Sequence, residues 1–336
     1  MPLINGGARF IVEGLAEKLR EYGHQAEIVY VPSTDEPSEI LTQMNAFRLI
    51  KLDRYFDRVI TFRPPAHVVR HPCKVVWFIH HIRVFYDLWQ SSYRPVPDLA
   101  PWRALRDTLI RADTAAISEA HRVFTNSQVV SDRLRLYNGL ASEVLYPPLQ
   151  RPELFHSRVY GEEIVSVCRM EHHKRQHLLV EAMRHVQTPV RLRLSGLSQS
   201  SEYIASLHRM VADGNLQERV QIESRWITEE EKADRLGGAL ANVYIPLDED
   251  SYGYPTIEAA QARRCTVTVN DAGGVLEFVT AGINGFIVPP DPRALAAAFD
   301  QLYLDRAQAG NMGEQARARI AELHISWDAV VAKLLA

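Results

Sequence analysis

Several features that would point to particular classes of protein are scarce or missing in this chain of 336 residues. Its three cysteines, Cys73, Cys168 and Cys265, are too few and too widely spaced for a disulfide framework, and they indicate a reducing compartment. No apolar run is long enough to span a bilayer, and the first residues do not form a signal peptide. We therefore expect a cytoplasmic protein.

A large excess of either charge is also missing. The net charge is −3, which argues against nucleic acid as a partner. Residues 1–150 carry 18 Lys and Arg against 16 Asp and Glu, so this half is slightly basic. A small surplus of cations suits an anionic membrane surface, and a chance fluctuation gives the same surplus. The charge pattern leaves peripheral membrane contact through the N-terminal half as an open hypothesis.

Alternating strand-like and helical patterns fill the chain, which predicts two α/β domains with parallel sheets. The helical pattern over 8–22 has one apolar face. The candidate strands of the first half are Glu27–Val31, Arg58–Thr61, Lys74–Ile79, Arg122–Thr125 and Glu143–Leu145. Those of the second half are Ile164–Val167, Arg191–Leu194, Val220–Ile222, Asn242–Ile245, Thr266–Val269 and Phe286–Val288. A proline-containing hinge near 147–160 is predicted to separate the two domains.

The most informative segment follows the apolar run that ends at Pro246. Asp250 and Glu258 stand eight positions apart, with Gly253 between them at a tight turn and Pro255 at the expected start of a helix. A helix N-terminus favours an anion, and carboxylates accept hydrogen bonds from hydroxyl groups. The segment therefore suits a ligand with phosphate at one end and a polyol at the other, such as a nucleotide sugar.

The segments that follow carry a resemblance to a known family. A strand is followed by Ala272-Gly273-Gly274, by Glu277 and by the Gly-x-x-Gly of Gly282–Gly285. With the two acids, this order resembles the C-terminal lobe of the family 4 retaining glycosyltransferases, in bacteria enzymes of polysaccharide or glycolipid synthesis. The resemblance implies the GT-B fold, in which two Rossmann-like, doubly wound domains face each other across a cleft.

On the donor side, the resemblance assigns roles to several residues. Arg169 and Lys174 would grip the diphosphate, Asp250 would hold hexose hydroxyls, and Glu258 would accept hydrogen bonds from the ribose. Asp250 is one methylene shorter than the glutamate usual in the family, and Glu249 is the alternative if the turn is shifted by one residue. The other expected donor-binding residues are Gly196, Trp226, Ile227, Ser251, Tyr252, Gly253 and Tyr254.

On the acceptor side, His80 matches the family histidine at a strand end near the transferred sugar, with His81 as second choice. Arg83 is expected beside them, and Gly6 and Gly7 are expected to form the turn that opens the first helix. In the family a strand precedes that turn, whereas five residues precede Gly6 here. Either the translation start is placed too late, or the first sheet lacks that strand.

Other interpretations remain open at this point. Asp248-Glu249-Asp250 spells Asp-x-Asp, the metal-binding motif of the unrelated GT-A glycosyltransferases. His173 and His177 have the i,i+4 spacing of helical zinc ligands, without a catalytic glutamate between them. A GT-B sugar-nucleotide epimerase or a non-catalytic nucleotide-sugar-binding protein would share the fold. A dinucleotide oxidoreductase would need a Gly-x-Gly-x-x-Gly turn, which the sequence lacks.

Together these observations predict an acceptor-binding domain over 1–150, a donor-binding domain over 151–325, and a final helix over 326–336 that packs on the first domain. The expected activity is transfer of a hexose from a UDP- or GDP-linked donor to a hydroxyl of a glycan or lipid-linked glycan. Retention of configuration, no metal and no cofactor are expected. His80, Asp250 and Glu258 are the expected catalytic residues.

Overall fold

The computed structural model describes residues 7–34, 36–90, 96–249 and 251–336. The chain divides into two compact units. The first combines Met1–Gln150 with Ile325–Ala336, and the second is Arg151–His324. Two predicted site residues, Gly6 and Asp250, lie outside the described residues. Across the described ranges, no helix combines the length and apolar character needed to cross a membrane.

The first unit contains a parallel sheet of four strands. The strands are β1 (Val59–Thr61), β2 (Lys74–Phe78), β3 (Arg122–Thr125) and β4 (Glu143–Val144), in that spatial order. The helices are α1 (Gly7–Glu21), α2 (Ile40–Arg48), α3 (Ala100–Ser118) and α4 (Gln128–Asn138). Strand β2 is buried at every position, which explains its unbroken apolar run, because helices cover both faces of a parallel sheet.

The predicted strand over Glu27–Val31 is wrong. These residues have an irregular conformation, and the side chains of Val29 and Tyr30 are about half exposed. A strand needs a neighbour to satisfy its backbone groups, and residues 27–31 pair with no described strand of the sheet. Apolar composition alone therefore misidentified this segment.

The second unit contains a parallel sheet of six strands. They are β5 (Glu163–Val167), β6 (Arg191–Ser195), β7 (Val220–Glu223), β8 (Ala241–Val243), β9 (Thr266–Val269) and β10 (Gly285–Val288). The helices are α5 (Gln176–Ala182), α6 (Ser201–Asp213), α7 (Glu229–Gly238), α8 (Tyr254–Gln261), α9 (Pro292–Leu304) and α10 (Arg306–Glu322). The spatial order β7-β6-β5-β8-β9-β10 is the doubly wound order 3-2-1-4-5-6 of dinucleotide-binding sheets.

The last helix, α11 (Trp327–Leu335), belongs to the first unit and packs against α1. The indole nitrogen of Trp327 donates a hydrogen bond to the carbonyl oxygen of Leu149 at 2.8 Å. At the other end of the helix, the guanidinium groups of Arg58 and Arg122 donate to the carbonyl oxygens of Leu334 and Lys333. Cations at a helix C-terminus satisfy carbonyl groups that have no partner within the helix.

Helix α7 begins with a capping box that fixes its first turn. The hydroxyl of Thr228 accepts a hydrogen bond from the backbone N–H of Glu231, whose carboxylate accepts one from the N–H of Thr228. We expect Thr228→Ala to lower the free energy of unfolding by about 1 kcal/mol, the usual value of such a cap. Urea unfolding of the full chain measures this. Ser201→Ala is the control, since Ser200 already caps α6, and equal loss in both variants would contradict the prediction.

Candidate functional site

The switch point of the second sheet lies between β5 and β8. These strands pair directly, with Ile164 opposite Ala241 and Val165 opposite Asn242, and the chain leads from β5 to β6 on one side and from β8 to β9 on the other. In open α/β sheets, ligands bind in the crevice beyond the strand ends at this point. The loops that follow β5 and β8 are therefore where the site is expected, and they carry most of the predicted donor residues.

Lys174 lies at the centre of a buried polar cluster between these loops. Its ammonium group donates to the phenol oxygen of Tyr244 at 2.8 Å and to the carboxylate of Glu249. The Tyr244 hydroxyl donates to the same carboxylate at 2.6 Å. The side chain of Lys174 is only 9% exposed, and the carboxylate of Glu249 compensates its charge.

The carboxyl of Glu249 stays ionised in this cluster. Burial alone would raise its pKa, but the ammonium of Lys174 and the Tyr244 hydroxyl outweigh burial and hold the pKa at about 2. The phenol of Tyr244 shows the opposite shift, since burial and the neighbouring carboxylate raise its pKa well above the ordinary value. An anion that approaches Lys174 must therefore compete with a permanently charged carboxylate.

Two glycines allow the loop after β8 to approach the loop after β9. Gly273 has a φ of +64°, and a Cβ atom there would lie 2.5 Å from the backbone nitrogen of Glu249; one at Gly274 would lie 2.7 Å from the Cα of Ser251. The N–H of Glu249 donates to Ala272 at 3.2 Å, and that of Gly274 donates to Glu249 at 2.8 Å. The Gly-Gly pair noted in the sequence thus fixes the backbone of Glu249.

The turn that leads into α8 is also built on a glycine. Gly253, with a φ of +71°, precedes the helix, and a Cβ atom there would collide with the ring of Tyr244. Pro255 is the second residue of α8 rather than the first. Of the predicted residues here, Tyr252 is buried with its ring 6.2 Å from Phe278, and Tyr254 is partly exposed. The hydroxyl of Ser251 accepts a hydrogen bond from the N–H of Gly253.

Glu258 is buried one turn inside α8, at 3% exposure. Its Oε1 atom accepts a hydrogen bond from the ammonium of Lys232 at 2.7 Å, while its Oε2 atom has no partner among the described residues. The buried hydroxyls of Ser195 and Thr256 likewise have none within the described ranges. A buried acceptor without a partner is costly, so Glu258 Oε2 marks a place where a ligand hydroxyl could bind.

The two predicted diphosphate ligands have different surroundings. Arg169 is exposed at the end of β5, and its side chain donates no hydrogen bond to any described residue, whereas Lys174 is paired as described above. The next residue, Arg175, has a structural role. It binds both carboxylate oxygens of Asp271 at 2.7 and 2.8 Å and donates to the carbonyl of Ile245, joining the ends of β8 and β9.

Three further predicted donor residues follow β6 and β7. Gly196 has a φ of +145°, and a side chain there would collide with the carbonyl of Cys168, so β6 can approach the end of β5. Beyond β7, Trp226 is 46% exposed and Ile227 is buried. An exposed tryptophan beside a buried isoleucine is compatible with a ligand surface at this loop.

The predicted acceptor residues His80, His81 and Arg83 divide into partly buried and core positions. His80 is half-buried, and its Nδ1 lies 2.7 Å from the carbonyl oxygen of His81. His81 is buried, donates from Nε2 to Asn138 at 2.9 Å, and packs its ring 4.2 Å from that of Tyr86. Burial lowers the pKa of His81 to about 4, so it is a neutral core residue. Arg83 is paired with Asp87 at 2.7 Å.

The histidines near Lys174 pack against aromatic rings. The rings of His172 and His177 are stacked at 5.0 Å, and Nδ1 of His177 lies 3.2 Å from the hydroxyl of Tyr203. His173 contributes its backbone carbonyl to the N–H of Leu247 at 2.8 Å. The described residues contain no group of three or more His, Cys, Asp or Glu placed to hold a metal ion.

The loops at the switch point belong to a segment with a clear family match. Residues 157–319 match the family Glycosyl transferases group 1. The match covers nearly all of the second unit, which therefore contains a group 1 glycosyl transferase domain.

Relatives of the group 1 domain include a curated protein and two solved structures. The chain is 25% identical to mouse alpha-1,3/1,6-mannosyltransferase ALG2 in an alignment over 230 residues that covers 60% of the chain and 55% of ALG2. The chain thus spans about half the length of that relative. It resembles sucrose-phosphate synthase of Thermosynechococcus elongatus with 20% identity, a TM-score of 0.75, and coverage of 98% of this chain and 92% of the other. Anabaena HepE in complex with UDP-glucose gives 17% identity, a TM-score of 0.71, and coverage of 99% and 95%.

These likenesses establish the fold as GT-B, with two parallel-sheet α/β domains, as the sequence predicted. The GT-A interpretation of Asp248-Glu249-Asp250 is therefore wrong. The group 1 domain places Arg169, Lys174, Glu249 and Glu258 on loops or helices that follow β5 and β8 of one sheet. Lys232, the partner of Glu258, was not found from the sequence. Glu249 was named there only as an alternative sugar ligand, and the structure shows it as the partner of Lys174.

Proposed function

We propose that the protein is a retaining, metal-independent glycosyltransferase. It would move a hexose from a nucleoside-diphosphate sugar, with UDP or GDP as the nucleotide, to a hydroxyl of a glycan or lipid-linked glycan. The observation that carries the proposal is the presence of two complementary groups at the switch point of the group 1 domain. Buried Lys174 offers a cation for phosphate, and Glu258 offers a buried carboxylate oxygen without a partner for a sugar hydroxyl.

The chemistry required of the diphosphate site is charge stabilisation. When the bond between the sugar and the diphosphate breaks, the bonding electrons stay with the diphosphate and negative charge grows on it. Lys174 is buried and is held by Tyr244, so its interaction with that charge would be strong once the charge has displaced the carboxylate of Glu249. Arg169 is exposed at the end of β5 and would supply a second cation.

The sugar and ribose ends of the donor would be held by the acids of the turn and of α8. Glu258 would accept a hydrogen bond from the ribose, and Asp250 or Glu249 would hold hexose hydroxyls. His80, a residue of the first domain, would orient the transferred sugar, and the acceptor would bind to the same domain. The relatives support a nucleotide-sugar donor, since one is a mannosyltransferase and another is a complex with UDP-glucose.

The location of the protein is part of the same proposal. A cytoplasmic enzyme with a lipid-linked acceptor would meet its substrate at the inner face of the membrane, through the slightly basic first half of the chain. The three cysteines are unpaired, which is compatible with a reducing compartment. Cell fractionation at low and high salt tests this, because electrostatic membrane contact is released by salt.

The proposal is tested by incubating the protein with UDP- and GDP-linked hexoses, together with glycan and lipid-linked acceptors, and by measuring nucleoside diphosphate release. We expect release that depends on the acceptor, an unchanged anomeric configuration, and full activity in EDTA. Mass spectrometry of co-purified nucleotide sugars narrows the donor panel. Tight donor binding without turnover would favour a non-catalytic binding protein. Conversion of the donor to an epimeric nucleotide sugar, without net release of nucleoside diphosphate, would favour an epimerase. Activity lost in EDTA and restored by manganese would contradict metal independence.

A further inference from the structure

Lys232 joins α7 to Glu258, the buried acid of α8. Its ammonium group donates to Glu258 Oε1 at 2.7 Å and to Glu229 Oε1 at 2.8 Å. The side chains of Lys232 and Glu258 are only 13% and 4% exposed, so this ion pair is almost entirely removed from water. The capping box of Thr228 fixes the first turn of α7 and thereby the direction in which Lys232 leaves the helix.

Glu258 has a second carboxylate, Glu229, near it, and Lys232 supplies the opposing positive charge. Burial raises the pKa of the Glu258 carboxyl above its ordinary value, Lys232 opposes this rise, and nearby Glu229 adds to it. Burial and the charge of Glu258 likewise raise the pKa of the Tyr254 phenol. On α10, which also packs against α8, Arg319 is paired with Glu322. Lys232 is thus the cation that opposes burial and a second carboxylate.

Lys232 itself remains charged. Burial lowers the pKa of its ammonium group, but the carboxylates of Glu258 and Glu229 outweigh burial and raise that pKa above its ordinary value. Lys232 therefore carries a positive charge beside the carboxyl, and its hydrogen bond fixes Oε1 of Glu258 toward α7. Its second oxygen, Oε2, has no partner among the described residues and is left to accept from a ligand.

We propose that Lys232 is a positioning residue of the nucleotide site, one that keeps Glu258 ionised and turned so that Oε2 accepts a ribose hydroxyl. This inference rests on the proposed function, since it presupposes that a nucleotide binds beside α8. Lys232 does not contact the ligand in this scheme and acts through Glu258. Its loss would change the charge of the acceptor, which a residue needed only for packing would not do.

The sign of the pH effect follows from the charges. Without Lys232, no cation among the described residues pairs with the buried carboxylate, so the pKa of Glu258 rises further and the group stays protonated up to a higher pH. A protonated carboxyl is a weaker acceptor for the ribose hydroxyl than a carboxylate. Ribose recognition in the variant should therefore be lost on the acidic side and return as the pH rises.

The experiment is calorimetric binding of UDP and GDP, each beside its 2′,3′-dideoxy analogue, from mildly acidic to mildly alkaline pH. The wild-type chain should prefer the ribonucleotide by about tenfold at neutral and alkaline pH, the effect of one hydrogen bond to a charged group. Lys232→Met should lose this preference at a higher pH than the wild-type chain does and regain it at alkaline pH. Lys232→Arg should keep the wild-type pattern, because it retains a cation.

Arg235→Met is the matched control. Arg235 lies three residues further along α7 and is equally buried, but it pairs with Glu223 and not with Glu258. Circular dichroism melting shows that each variant is folded, and Lys232→Arg still tests the idea if Lys232→Met is not. A Lys232→Met preference that follows the wild-type pH profile, or failure of the arginine variant to keep the preference, would overturn the inference alone. Absence of any UDP or GDP binding to the wild-type chain would overturn the proposed function and this inference together.

Discussion

Substituting the three acids of the donor site should produce three different defects. Asp250→Asn should leave nucleoside diphosphate binding nearly unchanged and lower turnover by about 10²-fold, the usual effect of losing one oriented polar group in the transition state. Glu258→Gln should weaken both the free nucleotide and the complete donor, since the ribose is common to both. Calorimetry with the nucleotide, beside steady-state rates with the donor, measures this difference.

Glu249→Gln should change nucleotide affinity in the opposite direction to Glu258→Gln. Glu249 is the anion that occupies Lys174 before a ligand binds, so removing its charge frees the cation for the diphosphate. We expect tighter nucleoside diphosphate binding, by roughly a few fold, since the hydrogen bond from Tyr244 can be kept by the amide. Turnover should fall only if Glu249 also holds the sugar.

Two outcomes would change the assignment of these acids. An equal loss of nucleotide affinity in Asp250→Asn and Glu258→Gln would show that Asp250 is not a sugar ligand. A turnover loss of about 10²-fold in Glu249→Gln, with little effect of Asp250→Asn, would give the sugar-binding part to Glu249. Glu314→Gln is the control, because Glu314 forms an exposed pair with Arg263 near the amino end of β9.

Loss of either diphosphate cation should weaken nucleotide binding strongly. We expect Lys174→Ala and Arg169→Ala each to lower the affinity for the nucleoside diphosphate by about tenfold or more, because a hydrogen bond to a charged group contributes roughly 1.5–3 kcal/mol. The effect of Lys174 should persist at high salt, since the residue is buried, whereas that of Arg169 should shrink, since it is exposed.

Arg184→Ala is the matched control for these two variants. Arg184 lies in the same domain, just after α5, and forms a partly exposed pair with Glu181. Its loss should change nucleotide affinity by less than about twofold, because exposed pairs contribute little and it is not at the switch point. Nucleotide binding by Lys174→Ala at the wild-type level would contradict the diphosphate assignment.

The parts of the structure that the sequence predicted well are those that depend on local pattern. Apolar runs placed ten strands within a few residues of their true ends, and the Gly-Gly pair and the turn at Gly253 were found because a close backbone approach requires glycine. The segment Glu27–Val31 shows the limit of this method. Its composition suits a strand, but strand formation depends on a neighbouring strand elsewhere in the chain.

The sequence predicted which loops come together but not the pairings of their side chains. Arg169, Lys174 and Glu258, assigned by resemblance, lie on segments that follow the neighbouring parallel strands β5 and β8. The contact of Lys232 with Glu258 could not be found in this way. It joins residues on different helices, and it depends on how α7 and α8 are rotated about their axes. The burial of His81 depends likewise on side chains from α4.

Helix α11 makes the first unit discontinuous in sequence, whereas the second unit is continuous. Residues 151–324 are one continuous piece of chain, so the whole second unit lies between two segments of the first. The first unit combines residues before 151 with residues after 324, because Trp327 donates a hydrogen bond to Leu149 and helix α11 packs on α1. During translation, which proceeds from the N-terminus, the first domain therefore waits for its last helix until the second has been made.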